Sequence, residues 1–374
     1  MQIGDNLMKN AGKKPMNKGR EIVSRKTQKT EPVTVPPALL GDLRTLIESA
    51  RVRVAVGVNA EMVLLYWDIG ERIKREILKQ ERAAYGERVV NGISDQLTLH
   101  YGPGFTRANL FHMIHFAEAF PDRKIVYTLC RQLSWSHFRN IIYIDDPLAR
   151  EFYTEMSRLE RWSVRTLQAR IQGMLFERTA LSKKPEELAR KDLAALREED
   201  KMTPDLVFRS PYFLDFLGLS DTFSEKDLEN SILRDLERFI LELGTDFSFV
   251  GRQKRITVDG EDYYIDLLFY HRKLHRLVAI DLKLGKFKAA DKGQMELYLR
   301  WLDKYDRQPG EEAPIGLVLC AGSSAGHIEL LELEASSIRV AEYLTELPPR
   351  EVLEQKLRAA VEIARERLAA RKAG

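Results

Sequence analysis

The chain has 374 residues, 44% apolar and 31% charged, which is the composition of an ordinary soluble globular protein with the length for two or three domains. Its two cysteines, Cys130 and Cys320, cannot build a Cys-rich zinc site and suit a reducing compartment. No apolar run nears the ~20 residues of a spanning helix, no signal-peptide core opens the chain, and a net charge of +3 supplies no global field for nucleic acid, so a cytoplasmic protein away from the membrane is expected.

Residues 1–37 carry Lys9, Lys13, Lys14, Lys18, Arg20, Arg25, Lys26 and Lys29 against Asp5, Glu21 and Glu31, and end in prolines. Such a segment predicts a disordered basic arm, either a nonspecific phosphate contact or a solubilising tail. Helical spacing then begins: Leu40, Leu43, Ile47, Ala50 and Val54 mark one helix, residues 59–78 a second and 86–100 a third. Tyr101-Gly102-Pro103-Gly104 stops the third, and Thr106 caps a helix that runs to Phe120. Capped, short helices over residues 38–182 suit a helix-turn-helix-like DNA-binding domain, whose recognition helix would offer Arg107 and Asn109 from its first turn. Trp67, Trp135 and Trp162 read as core, and His112, His115 and His137 have no metal partner at a recognisable spacing.

Residues 183–220 read as a linker and packing segment: a charged, exposed helix opening at Pro185, then an aromatic stretch, 204–218, that packs the domains together. Ser224 to Asp227 resembles a capping box, and a helix follows through Leu228, Ile232, Leu236, Phe239 and Leu243 to a stop at Gly244. Glu229, Glu237 and Glu242 lie on it, on faces that spacing does not separate.

The next stretch predicts three strands. Residues 247–258 and 263–271 flank Asp259-Gly260, a dipeptide suited to the positive φ angles of a tight hairpin, and 277–284 follow a short basic turn. Folding the second hairpin about Lys273–Leu274 sets Asp266 opposite Asp281, with Lys283 one step along the same face. Like charges so placed repel and need a cation. Magnesium is the natural one, because it binds through one or two carboxylates and keeps waters and phosphates as its other ligands. Lysine beside it can hold an attacking water or a phosphate oxygen, which is the constellation of phosphodiester hydrolysis. Arg252, Lys254, Arg255, His271, Arg272, Lys286, Lys288 and Lys292 surround the acids as a positive rim for DNA. Residues 315–320 read as a central strand, 337–343 as the last strand and 351–370 as an amphipathic helix.

Asp266 followed by Asp281-Leu282-Lys283 resembles the PD-(D/E)XK nuclease superfamily, with Ile265 where Pro is usual and Asp as the second acid. Gln294-Met295-Glu296-Leu297-Tyr298 is similar to the Q-x-x-x-Y element of its RecB-like branch. Tyr66-Trp67-Asp68-Ile69-Gly70, Tyr101-Gly102-Pro103-Gly104-Phe105, Leu133-Ser134-Trp135-Ser136-His137 and Phe249-Val250-Gly251-Arg252-Gln253 resemble the bacterial YhcG-like family, from Leu40 to about Ala370. The resemblance implies a helical N-terminal domain and, over residues 221–374, an α/β restriction-endonuclease-like core with a mixed central sheet. It implies an Mg²⁺-dependent (or Mn²⁺-dependent) endonuclease acting on DNA, with Asp266, Asp281 and Glu229 at the metal, and Lys283, Gln294 and Tyr298 completing the catalytic site. Gln294 and Tyr298, one helical turn apart, would project toward the edge that bears Lys283, with the Tyr298 hydroxyl exposed. A homo-oligomer stays open. The rivals are a catalytically inactive DNA-binding or assembly factor, an RNA-directed enzyme, and strand acids that merely pair with Lys283 and Arg272.

Overall fold

The computed structural model describes residues 37–78, 83–219, 222–244, 246–322, 331, 333 and 336–373, so the expected basic arm lies outside the described residues up to Pro36. Met1–Arg53 forms one unit, of which the described part is helical backbone from Pro37; Val54–Gly374 forms a second, compact unit. Helix α1 (Pro37–Leu78) runs without a break through both segments that periodicity read as separate helices. Gly57 lies between them, and one glycine lowers helix stability by only about 1 kcal/mol without ending it.

A helical layer follows: α2 (Ala83–Tyr101), α3 (Arg107–Ala119), α4 (Arg123–Leu129), α5 (Trp135–Ile141), α6 (Pro147–Leu159), α7 (Val164–Gln172) and α8 (Leu175–Arg178). Trp67 and Trp162 are buried there, and Trp67 Nε1 donates to the Phe120 carbonyl at 2.8 Å. His137 is structural too: its Nδ1 accepts the Ser134 N–H at 3.1 Å, which closes the N-terminus of α5.

Helix α9 (Glu186–Glu199) is the charged segment expected to be an exposed linker, and its inner side is buried. Ala189, Leu193 and Leu196 enter the main core, while Arg197 reaches Glu155 at 3.0 Å and the Glu151 carboxylate. Arg197 therefore binds α9 to α6, while Glu186, Glu187, Lys191, Glu198 and Glu199 stay exposed as expected. After α10 (Pro204–Val207), the aromatic stretch supplies β1 (Tyr212–Phe213), a short strand that sequence reading took only as packing.

The helix expected from Glu225 to Gly244 is two: α11 (Glu225–Arg234) and α12 (Leu236–Leu243). Asp235 leaves helical geometry at φ −108°, ψ 35°, in keeping with the low helix preference of a side chain that competes for backbone groups. Strands β2 (Phe247–Val258), β3 (Glu261–His271), β4 (Arg276–Lys286), β5 (Ile315–Gly322) and β6 (Ile338–Leu344) complete a sheet in the order β1-β6-β5-β4-β3-β2. The β2–β3 and β3–β4 pairs are antiparallel and the others parallel, so the sheet is mixed. Asp259 and Gly260 turn the first hairpin with φ of 51° and 87°, as their residue types predict.

The parallel step from β4 to β5 passes through α13 (Ala289–Tyr305), as parallel pairing requires. A side chain at Gly316 would stand 2.5 Å from Met295 Sδ, so glycine lets α13 lie close on β5. Beneath α13, Leu268, Ala279, Met295 and Val318 form one apolar layer. On the opposite face Leu267, Phe269, Val278 and Ile280 join a core continuous with Phe116, Phe138 and Phe152 of the helical layer. The last helix is α14 (Arg350–Ala373).

A buried ionic cluster ties α8, β1 and α12 together. Glu242 Oε1 accepts from Arg178 Nη1 at 2.5 Å and from the Phe213 N–H at 3.0 Å. Arg209 donates to the Glu242 carbonyl, and Arg178 also lies over the Phe213 ring, 3.7 Å from its centroid. Burial opposes the Glu242 charge, but Arg178 and Arg209 outweigh it and hold the carboxyl below its ordinary range. Glu242→Ala should therefore destabilise the protein by about 3–5 kcal/mol, because two buried guanidinium groups lose their counter-charge. Urea unfolding measures this, and a loss under about 1 kcal/mol would contradict it.

Candidate active site

The last hydrogen-bonded rungs of the β3–β4 ladder are Leu268–Ala279 and Leu267–Ile280. The same register carries Asp266 to the position facing Asp281, as the symmetric turn predicts. Asp266 Oδ2 accepts the Leu282 N–H at 2.9 Å, which fixes its carboxylate across the gap between the strands. Asp281 is only 2% exposed, so its charge is nearly out of water. Lys283 Nζ lies 2.8 Å from Asp281 Oδ2, yet that oxygen accepts no hydrogen bond of good geometry among the described residues.

Burial, with Asp266 adding to it, pushes the Asp281 carboxyl up to about 6 against the pull of Lys283. Burial also raises Asp266, against the Leu282 N–H, Gln253 and Lys283. For Lys283, burial disfavours the charge, but Asp281, Glu225 and Asp266 prevail and raise its pKa. The site thus contains more negative charge than its one ammonium compensates.

Among the three helix acids that spacing left open, Glu229 is the one tied to this pair. Gln253 Nε2 donates to Glu229 Oε2 at 2.7 Å and to Asp266 Oδ1 at 3.1 Å, so one amide links the helix acid to the strand acid. Glu242 belongs to the Arg178 cluster and Glu237 is exposed on α12. Sequence reasoning missed Glu225, whose Oε1 accepts the Leu284 N–H at 3.3 Å beside Lys283. It also passed over Gln253, although residue counting from the Asp259-Gly260 turn sets it across from Asp266.

Gln294 and Tyr298 do share one side of α13, and Gln294 Nε2 donates to the Tyr298 hydroxyl. That hydroxyl is not exposed, contrary to expectation: Tyr298 is buried, and its Oη donates to the Tyr264 carbonyl at 2.9 Å. The pair anchors the strand two residues before Asp266.

Of the expected nucleic-acid contacts, Arg252, Lys286 and Lys288 are exposed. Lys254 is held by Asp306 at 2.7 Å and lies over Trp301. His271 leaves the basic rim altogether, since burial lowers it to about 4 and its Nδ1 accepts the Leu274 N–H. In the helical layer Arg107 is half-exposed, 3.5 Å from Glu87, while Asn109 donates to the Gly104 carbonyl and accepts from Trp135 Nε1 at 3.3 Å.

Two tests follow from this geometry. The fold favours protonated Asp281, so metal-free stability is present below the ordinary Asp range near 4 and is lost as pH rises through about 6. In chelator, the stability of Asp281→Asn relative to wild type should climb across that window, toward a gain of roughly 3 kcal/mol. A difference that stays flat from pH 4 to 7 would refute the strained-acid reading. Tyr298→Phe should cost about 1 kcal/mol by leaving the Tyr264 carbonyl unpaired, and unchanged urea unfolding would count against it.

Comparison with known proteins identifies the family. Residues 205–359 match the family described as YhcG PDDEXK nuclease domain, and residues 42–178 match the DUF1016 N-terminal domain. The Escherichia coli (strain K12) protein named "Putative nuclease YhcG" is 36% identical over 344 residues, covering 83% of this chain and 91% of that protein. Among solved structures, a repair endonuclease from Pyrococcus abyssi matches at TM-score 0.24 and 20% identity, over 35% of this chain and 50% of its own. An EndoMS-dsDNA2 complex matches at 0.25 and 19%, over 35% and 47%. The chain spans about half the length of these two structures, and superposition at that level adds nothing to the assignment. On the strength of the match along most of its length, the chain belongs to the YhcG family, with a helical N-terminal region and a nuclease domain of the PDDEXK type.

Proposed function

We propose that this protein is a divalent-metal-dependent DNA endonuclease that hydrolyses phosphodiester bonds at Asp266, Asp281 and Lys283. The observation that carries the reading is Asp281: a carboxylate 2% exposed that faces a second acid, with one ammonium, Lys283, 2.8 Å from its Oδ2 to offset the two charges. Burying such a group is unfavourable unless a cation completes it.

The donor set fits a hard cation. Among the described residues no group of three or more His, Cys, Asp or Glu side chains is placed to hold a metal ion, so the protein would supply few ligands. Two facing carboxylates, with Glu229 one amide away, suit Mg²⁺ or Mn²⁺, which take few protein ligands and keep waters and phosphate oxygens. Asp266 and Asp281 would hold the ion, with Glu229 reaching it directly or through water. When bound, it would supply Lewis acidity toward a phosphate oxygen and lower the pKa of a water.

The chain's own groups do the rest. Lys283, charged and beside Asp281, would trade that contact for the attacking water or a phosphate oxygen. The Leu282 N–H and the Tyr298–Tyr264 bond hold Asp266 in place as substrate binds. Arg252, Lys286 and Lys288 would contact backbone phosphates, and the helical region 38–182 would bind flanking duplex through exposed residues such as Arg107. Asn109 and Lys254, engaged within the protein, would support those contacts rather than make them. No helix of the described residues is long and apolar enough to cross a membrane, and Cys130 and Cys320 are free and buried, which supports work in the cytoplasm.

Purified protein incubated with linear, nicked and branched DNA, and with RNA, should cut DNA in Mg²⁺ or Mn²⁺ and not in EDTA. Asp281→Ala should abolish cutting. Lys283→Met should also abolish it, without the gain in metal-free stability that Asp281→Asn shows, since it removes the site's ammonium. DNA binding without cleavage under every metal condition would point to an assembly factor instead. Equal cleavage by Asp281→Ala would remove the site from the chemistry.

A further inference from the structure

Gln253 lies within strand β2, yet its backbone is left-handed at φ 44°. L-residues other than Gly, Asn and Asp rarely adopt that conformation, and it costs roughly 1 kcal/mol or more. The rungs on either side, Arg252–Leu267 and Lys254–Ile265, keep one register, while the strand's register shift falls earlier, between Phe249 and Gly251. The Gln253 side chain is exposed, which rules out core packing as the reason for the distortion. The amide nitrogen is instead committed twice, to Glu229 Oε2 at 2.7 Å and Asp266 Oδ1 at 3.1 Å.

We propose that Gln253 is a positioning residue for the metal site: its amide links Glu229 on α11 to Asp266 on β3 and so keeps the helix acid within reach of the two facing strand acids. The inference rests on reading Asp266 as a metal ligand. Asp266 receives the Leu282 N–H on Oδ2 and the Gln253 amide on Oδ1, so both oxygens are oriented by neutral donors. Glu229 is half-exposed on its helix and has rotamers to choose among. Without the shared donor, Glu229 would lose the hydrogen bond that holds it beside Asp266, and a cation would have to gather it back. Hydrogen bonds that orient metal-binding carboxylates act in this way, and their loss commonly weakens metal affinity by about tenfold or more.

The test is Mn²⁺ binding to the full chain, followed by electron paramagnetic resonance without nucleic acid. Gln253→Gly removes the amide while suiting the left-handed backbone, so its melting temperature in EDTA should equal or exceed wild type. Its Mn²⁺ affinity should fall by about tenfold. Gln253→Met, of similar length without a donor, should show the same loss of affinity and covers the case in which the glycine variant does not fold. Glu229→Gln should weaken binding as well, and adding Gln253→Gly to it should weaken it little further, because both act through one contact. Wild-type affinity in both Gln253 variants overturns the inference while leaving the metal site standing. Losses that simply add in the double variant also overturn it, since Gln253 would then act apart from Glu229. A wild-type protein that takes up no Mn²⁺ overturns both this inference and the metal-dependent reading.

Discussion

The pairing register of β3 on β4 is the constraint on which the site depends. Side chains alternate along a strand, so a slip of one residue would turn Asp266 into the apolar layer that holds Leu267 and Phe269. Two features prevent it. The turn is closed by the His271–Arg276 rung, with buried Leu274 plugging its inner side. The alternating sets Leu267, Phe269, Val278, Ile280 and Leu268, Leu277, Ala279 each belong to a different core. Hydrophobic burial on two faces therefore fixes where two charges meet, although neither charge gains from the meeting.

That division of labour explains the electrostatics. The apolar layers that enforce register also remove water from Asp281, which raises its carboxyl. Donors from outside β4's own side chains then take up the strain: Leu282 and Gln253 address Asp266, and Tyr298 holds the Tyr264 carbonyl. Each comes from a different element, and so the arrangement exists only when β2, β4 and α13 are all assembled around β3.

Much of this was legible in the sequence because its determinants are local. Asp259-Gly260 fixes the first hairpin by backbone preference, and the symmetric turn about Lys273–Leu274 carries Asp266 to Asp281 by counting alone. What eluded reading depends on contacts distant in sequence. The burial of Tyr298 follows from a carbonyl 34 positions earlier, and that of Glu242 from Arg178, 64 positions earlier. The inward face of α9 was hidden because its three buried apolar residues are outnumbered by charges, of which only Arg190 and Arg197 have partners on α6. A left-handed glutamine inside a strand has no signature at all, since nothing in its neighbours' types asks for it.

The core shared by the helical layer and one sheet face bears on how such proteins can diversify. The segments that match the two family descriptions share one continuous apolar cluster, which holds Phe116, Phe138 and Phe152 of one and Phe269, Val278 and Ile280 of the other, and Arg178 pairs with Glu242 across them. Neither segment can be recombined with a foreign neighbour as an interchangeable cassette, because the graft would inherit half of an apolar interior and an unmatched buried charge. Lineages of this family should then vary the helical part by substitution in place, with changes on α8 tracked by changes on β1 and α12. A chimera would have to carry both sides of the Arg178–Glu242–Phe213 junction across the splice.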